Sequence, residues 1–469
     1  MSLQVYSTLT RQKEEFVPLQ PGEVKMYVCG PNLYGPVHVG HAMSYIIFDT
    51  IRRYLQYRGY RVRHVQNFTD IEDRIIETAL SRNTTVKDLA EQYIARFYSE
   101  MDALNILRAD VNPRATEVIP KIIEIVQGLV EKGYAYALAG DVYFRVTRFP
   151  DYGKLSKRSL DQMEAGARVE VDERKEHPMD FALWKAAKPG EPAWESPWGK
   201  GRPGWHIECS AMSMQFLGEQ LDIHGGGQDV IFPHHENEVA QSEAYTGKTP
   251  FVRYWIHNAL LHLQEGEEKM TRHLGNIVSV QEALQKYSTD AIRLSILSSH
   301  YRSPLTWKDE NVLGAERGAE RIRAALKDYA GGSPANPGDA LCEEAEATRR
   351  EFIVAMDDDF NSPRAIAQVY DLVRIINQTR DSGAAADSLA YAQAILQELT
   401  SVLGLTMKGR YAAAPVETEP FIALLVETRA QLRAAKQWAL ADGIRDRLAK
   451  LGVILEDGSG GTTWKYTGP

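Results

Sequence analysis

The chain is short of cysteine, of long apolar runs and of positive charge. Three cysteines in 469 residues, an odd number, fit a reducing cytoplasm and argue against a disulfide framework. No apolar stretch approaches the ~20 residues that cross a bilayer, so no membrane partner is expected. Met1 to Tyr6 shows neither the basic start nor the apolar core of a leader, and the expectation is a cytoplasmic protein. A net charge of −9 gives no bulk support for nucleic-acid binding, although binding depends on where cations cluster rather than on their sum. No fixed-period repeat is visible, which disfavours a solenoid.

The composition that remains, 44% hydrophobic and 25% charged, is that of an ordinary globular protein, and the length predicts about two to four domains. Val24 to Cys29 alternates as a strand does, and Gly30-Pro31 breaks it. Ile47, Ile51, Tyr54 and Leu55 then recur on one helical face that Gly59 ends, and Arg61 to Phe68 reads as a second strand. Strand, loop, helix, strand is a βαβ unit, whose ligand site lies at the strand-to-helix loop. From about 113 to 201 the pattern changes. Two helical segments, an isolated strand at 141–146 and a Pro/Gly-rich tract with Trp184, Trp194 and Trp198 predict an insertion in one α/β domain. We therefore expect a Rossmann-like α/β domain over 1–314 and a helical bundle over 315–407. A linker and a small terminal module of two helices and a Gly/Ser-rich tip would occupy 408–469.

Cys29 follows the first strand, and Cys209 lies in Pro203-Gly204-Trp205-His206-Ile207-Glu208-Cys209. His234 and Glu238 are four apart, one helix face, with Pro233 suited to the first helical position. Zinc favours thiolate and imidazole and accepts carboxylate. Both cysteines are expected at chain breaks where strands end near the crevice. No Cys-x-x-Cys knuckle is present, so ligands gathered singly point to a working metal rather than a staple. By spacing alone His224 and His235 are equally eligible, while Cys342 reads as a lone helical thiol.

His38-Val39-Gly40-His41 stands where strand hands over to helix. There unpaired N–H groups suit a phosphate, Gly40 permits close approach, and two imidazoles can donate to a phosphoryl oxygen. Lys269 and Arg272, on the loop 268–276, could reach the same phosphates from the other side. Taken singly, each stretch also fits a plain surface segment. In the terminal module Arg429, Arg433 and Lys436 fall at i, i+4 and i+7, followed by Arg445, Arg447 and Lys450. Asp442 and Asp446 alone oppose them, and Ile444, Leu448 and Leu451 are expected on the apolar counter-face.

Together these segments resemble the cysteinyl-tRNA synthetases, a family of class I aminoacyl-tRNA synthetases, from Tyr6 to about Lys465. His38 to His41 matches the family's HIGH element, and Lys269 to His273 stands where it has KMSKS. The stretches at 26–31, 66–70, 204–210, 222–227 and 232–238 match as well. The resemblance implies a class I catalytic domain, a DALR-type bundle and an anticodon-binding module. It implies ATP-dependent ligation of L-cysteine to tRNA(Cys) through a cysteinyl-adenylate, by a monomer. Cys29, Cys209, His234 and Glu238 would hold one zinc that takes the substrate thiolate, and Mg2+ would accompany ATP. Thr69, Trp205 and Asp229 would line the amino-acid pocket, Asp229 facing the ammonium. His38, Gly40, His41, Lys269 and Arg272 would bind ATP, and His38 and His41 would stabilise the transition state. The basic face with Arg429, Arg433, Lys436 and Arg445 would meet the anticodon, with Trp464 as a stacking platform. The chain departs from the family at Arg272, His273 and Asn32, and an Arg-for-Lys exchange at a phosphate is not neutral. Two other readings follow: a cysteine ligase acting on an amino sugar, which the tract 408–469 opposes, and a non-activating tRNA-binding paralogue.

Overall fold

The computed structural model describes residues 2–165, 174–262, 277–327, 339–382, 385–408, 419–458 and 461–466. Four parallel strands carry the cleft, in the order Val252–Asn258, Leu221–Gly227, Glu23–Val28, Arg61–Gln66. Alternation along Glu23–Val28 sorts its side chains between two cores. Val24, Met26 and Val28 pack toward the helix Val39–Tyr57, and Tyr27 packs on the opposite face. That helix buries the stripe expected of it, Ile47, Ile51, Tyr54 and Leu55, and Gly59 follows at φ +88°.

The insertion differs from the expectation. One α-helix, Ile119–Glu131, follows a single turn at Ala115–Glu117. The strand Asp141–Phe144 is not isolated, being second in an antiparallel sheet with Ala135–Leu138, Phe181–Ala186 and Gly201–Pro203. Its first hairpin turns on Ala139 and Gly140, at φ +52° and +92°. Both central residues are left-handed, as a tight hairpin requires, but alanine is a poor signal for that geometry.

The helices Asp309–Ala325, Ala340–Asp357, Ser362–Asp381 and Ala386–Val402 share one continuous core with the first helix and its strands. Buried polar contacts lock this junction. The Arg293 guanidinium, fully buried, donates to Asp49 at 2.6 Å and to the carbonyls of Leu403 and Leu104 at 3.0 and 3.1 Å. The Tyr54 hydroxyl donates to Asp357 at 2.6 Å. A buried ion pair left half-broken costs about 3–5 kcal/mol, so these contacts hold the C-terminal half of the first helix and thereby aim its N-terminus.

The terminal module has two helices, Glu419–Ala434 and Trp438–Lys450, and a hairpin of Val453–Gly458 with Gly461–Tyr466. Its buried apolar core is Ile422, Leu448, Val453 and Leu455. Leu451, expected on the apolar face, is exposed. No helix among the described residues is long and apolar enough to cross a membrane.

Candidate active site and metal centre

The strand order reverses between Glu23–Val28 and Leu221–Gly227, and ligands of open α/β sheets bind beyond the strand ends at such a point. A cavity of about 670 Å³ opens there, in the range that holds a nucleotide-sized ligand. Cys29, Cys209 and His234 line it together with His38, Gly40, His41, Thr69, Trp205 and Asp229. Residues more than two hundred positions apart in sequence thus line one cavity.

Cys29 leaves the end of the first strand, as expected. Cys209 does not sit at a strand end; it is inside the helix Trp205–Leu217. Pro233 also differs from its expected place: a wide turn, Ile231–His235, precedes the regular helix Glu236–Thr246. His234 and Glu238 still meet, His234 Nε2 lying 3.1 Å from Glu238 Oε1. The two thiol sulfurs are 3.9 Å apart. Two sulfurs bonded to one tetrahedral zinc would be separated by about 3.8 Å, so the thiol pair fits that ion. Among the described residues, two overlapping donor groups each lie within 4.8 Å: Cys29, Cys209, His234 and Glu238, and Cys29, His224, His235 and Glu238. The first group offers two thiols and turns three of its four members to the cavity; of the second, Cys29 alone lines it.

The charges are set by burial and by neighbours. Burial alone would raise the Glu238 carboxyl, but His224, donating at 2.9 Å, and His234 outweigh it and hold Glu238 near 2. Burial lowers His234, yet Glu238 and Cys209 beside it raise it to about 10. The hydrogen bond with Cys29 lowers Cys209 to about 6 and, with burial, drives Cys29 well above the usual thiol value. Near pH 7 the group Cys29, Cys209, His234 and Glu238 therefore carries one thiolate, one carboxylate and one imidazolium.

The glycines of Gly225-Gly226-Gly227 make room for this packing. A Cβ on Gly226 would come within 2.8 Å of the His235 ring, and one on Gly227 within 2.5 Å of the Asp229 carboxylate. Trp205 stacks on His234 at 4.4 Å between ring centroids. Thr69, buried, accepts from Asn67 at 3.3 Å.

His38 caps the first helix. Its ring accepts from the His41 N–H at 3.4 Å, the His41 ring accepts from the His38 N–H at 3.5 Å, and the rings stack at 3.7 Å. With both Nδ1 atoms accepting, each neutral ring carries its hydrogen on Nε2 as a donor. The first turn holds no acidic residue to compete for an anion. Lys269, Arg272 and His273 lie outside the described residues.

In the terminal module the structure corrects one expectation. Arg429 is buried and donates through both terminal nitrogens to Asp457, at 2.8 and 2.9 Å. It is therefore part of the module's interior and not of an exposed basic face. Arg433 and Arg445 also reach Asp457 but remain open to solvent, as does Lys436. Trp464 is half-buried against the small core, while the Trp438 indole, which the pattern did not single out, is 55% exposed. Sequence reasoning also passed over His206 and His257. His206 Nδ1 lies 3.0 Å from His234 Nδ1, and His257 Nε2 lies 2.8 Å from His235 Nδ1. The available signal is one histidine in each of the segments 205–217 and 252–258.

Comparison with known proteins identifies the family. Residues 15–317 match the model of the tRNA synthetases class I (C) catalytic domain, 351–408 the DALR domain, and 422–464 the cysteinyl-tRNA ligase anticodon binding domain. A cysteine–tRNA ligase of Dehalococcoides mccartyi is 55% identical over 467 residues, 99% of each chain. One of Carboxydothermus hydrogenoformans is 50% identical, covering 99% of this chain and 100% of the relative. Among solved structures, methionyl-tRNA synthetase of Mycobacterium tuberculosis with methionyl-adenylate superposes with a TM-score of 0.58 at 15% identity, covering 81% of this chain and 89% of that one. LeuRS of Agrobacterium radiobacter K84 gives 0.59 at 11% identity, covering 85% and 87%. At those identities the likeness is one of fold, whereas the curated relatives are alike along their whole length. The chain belongs to the cysteine–tRNA ligase family of the class I aminoacyl-tRNA synthetases.

Proposed function

We propose that the protein activates L-cysteine with ATP and transfers it to tRNA(Cys), and that Cys29, Cys209, His234 and Glu238 hold the zinc that selects the amino acid. The observation that carries this is the opening of a two-thiol donor group into the same cavity as His38 and His41. Zinc bound there supplies a soft Lewis acid that favours a thiolate, whereas a serine hydroxyl stays protonated and is a poor ligand. Packing alone separates such close analogues by only about 10–200-fold, which is why a metal is worth recruiting.

The other roles follow from position and charge. Asp229 faces the substrate ammonium, and Thr69 and Trp205 bound the amino-acid space. The cysteine carboxylate attacks the α-phosphorus of ATP and pyrophosphate leaves. The first helix N-terminus, Gly40 and the His38 and His41 donors stabilise the charge that builds on the phosphoryl oxygens. Lys269 and Arg272 add two cations to those phosphates, and Mg2+ enters with ATP. A hydroxyl of the terminal ribose of tRNA then takes the cysteinyl group. Arg433, Lys436 and Arg445 present charge to the anticodon region, with Trp464 and the exposed Trp438 as aromatic surfaces. We place this activity in a cytoplasmic monomer. The match of 422–464 to an anticodon-binding domain weighs against an amino-sugar acceptor.

The test is cysteine-dependent ATP–pyrophosphate exchange, with serine as competitor and metal analysis of the same preparation. One zinc per chain and exchange with cysteine alone are expected. Full activity in zinc-free protein would overturn the metal's role, and absence of any exchange would favour the non-activating reading. His41→Asn is expected to lower the exchange rate by roughly 10²–10³-fold, with cysteine affinity retained.

A further inference from the structure

Cys29 stands at the inner end of a line of hydrogen-bonding groups that begins at the surface. Thr8, in the turn after the strand Gln4–Ser7, is half-buried, and its backbone N–H donates to the Trp255 carbonyl at 2.8 Å. Its hydroxyl lies 2.8 Å from His257 Nδ1. His257 Nε2 lies 2.8 Å from His235 Nδ1, and His235 Nε2 lies 3.1 Å from Cys29 Sγ. Glu238 Oε1 lies farther from that last nitrogen, at 3.9 Å. Trp255 flanks both rings, 5.1 Å from His235 and parallel to His257 within 2°.

A neutral imidazole has one donor and one acceptor nitrogen, so fixing one end of such a line fixes every member. A metal-ligating Cys29 is a thiolate and can only accept. His235 must then carry its hydrogen on Nε2 and accept at Nδ1 from His257 Nε2–H. His257 Nδ1 in turn accepts from the Thr8 hydroxyl, a group able to serve as donor at that end. Each distance permits this polarity, and no member is left with a clashing donor or acceptor.

We infer that Thr8 and His257 are positioning residues that act through His235 to hold the Cys29 thiolate in its ligating orientation. The inference rests on the zinc reading above and adds to it a path from the N-terminal turn to one ligand. Outer partners of metal ligands typically contribute 10–100-fold in metal affinity. Neither Thr8 nor His257 lines the cavity, so both can be changed without touching substrate.

The test measures zinc affinity by chelator competition, and separately the KM for cysteine and kcat of exchange, in full-length variants. His257→Leu is expected to weaken zinc binding roughly 10–100-fold and to raise the cysteine KM more than it lowers kcat. His257→Gln keeps an N–H toward His235 Nδ1 and should restore affinity to within a few-fold of the parent. Thr8→Val, isosteric at a half-buried position, should act in the same direction but more weakly, while Thr8→Ser should match the parent. Parental zinc affinity in both His257→Leu and Thr8→Val would overturn the inference. So would equal weakening in His257→Leu and His257→Gln with Thr8→Val unchanged, since that pattern reports packing alone. A parent protein with no zinc affinity would instead overturn the metal reading and this inference with it.

Discussion

Glu238 and Asp457 each gather three basic side chains, in opposite surroundings. Glu238 is fully buried among His224, His234 and His235. Asp457 lies at the surface of the terminal module and receives Arg429, Arg433 and Arg445. Both carboxyls are held below their ordinary range, Glu238 by imidazoles working against burial, Asp457 by the Arg429 hydrogen bonds first and then Thr462. Their saturation differs. Asp457 uses both oxygens, Thr462 and Arg429 meeting Oδ1 while Arg429, Arg433 and Arg445 meet Oδ2. Glu238 Oε1 faces His234 without the alignment of a hydrogen bond, an expensive condition at zero exposure. A buried acceptor with spare capacity beside two thiols has the chemistry a cation would satisfy. A saturated surface carboxylate beneath a core of four apolar residues is a clasp for a small fold.

Exchanging the charge at each position breaks the comparison most directly. Glu238→Gln should cost more than the ~10–100-fold of an outer-shell change in zinc affinity and remove cysteine activation, with the melting of the terminal module unchanged. Zinc retention in Glu238→Gln would place the metal elsewhere. The ionisation of the site gives the next largest effect. His234, near 10, and Cys29, well above the usual thiol range, are protonated near pH 7, while Cys209 is largely ionised above about 6. Zinc binding must release the first two protons, so affinity should rise with pH by about a hundredfold per unit around neutrality and fall as pH drops. Calorimetry in buffers of different ionisation enthalpy counts those protons; a count of zero would refute the charge assignment.

On the other side of the comparison, Arg429→Ala should destabilise the terminal module by about 1.5–3 kcal/mol, the scale of hydrogen bonds to a charged group. Local protease sensitivity or hydrogen exchange reads that change, and zinc content should stay at the parental value. The smallest effect is expected at the solvent-facing Arg433. Arg433→Ala should leave the fold intact and reduce the salt dependence of tRNA binding by roughly one unit of slope. Equal unfolding by both variants would assign Arg433 to the clasp rather than to the ligand.

Much of the site was legible because its members lie in short stretches with local signatures. A strand that stops at Cys29-Gly30-Pro31, an amphipathic helix after His38, and His234 with Glu238 on one turn are all periodic or positional facts. The misreadings share a cause. Asp141–Phe144 looked isolated because its partners pair at long range and its turn uses alanine. Cys209 looked like a strand end because Pro203-Gly204 breaks the chain just before a helix begins. Arg429 looked like part of a basic face because helical spacing shows which residues share a side, not which side is covered by the hairpin that follows.

What the sequence by itself determined was the chemistry on offer: two thiols, a histidine-rich segment, a phosphate-ready helix start and a terminal basic stretch. Local periodicity follows from backbone geometry, so the elements carrying these groups could be read directly. Which histidines face the cavity, which back them, and which arginine is spent on a carboxylate were decided only in the folded molecule. Those choices depend on contacts between segments far apart in the chain, and on burial, which no local spacing encodes.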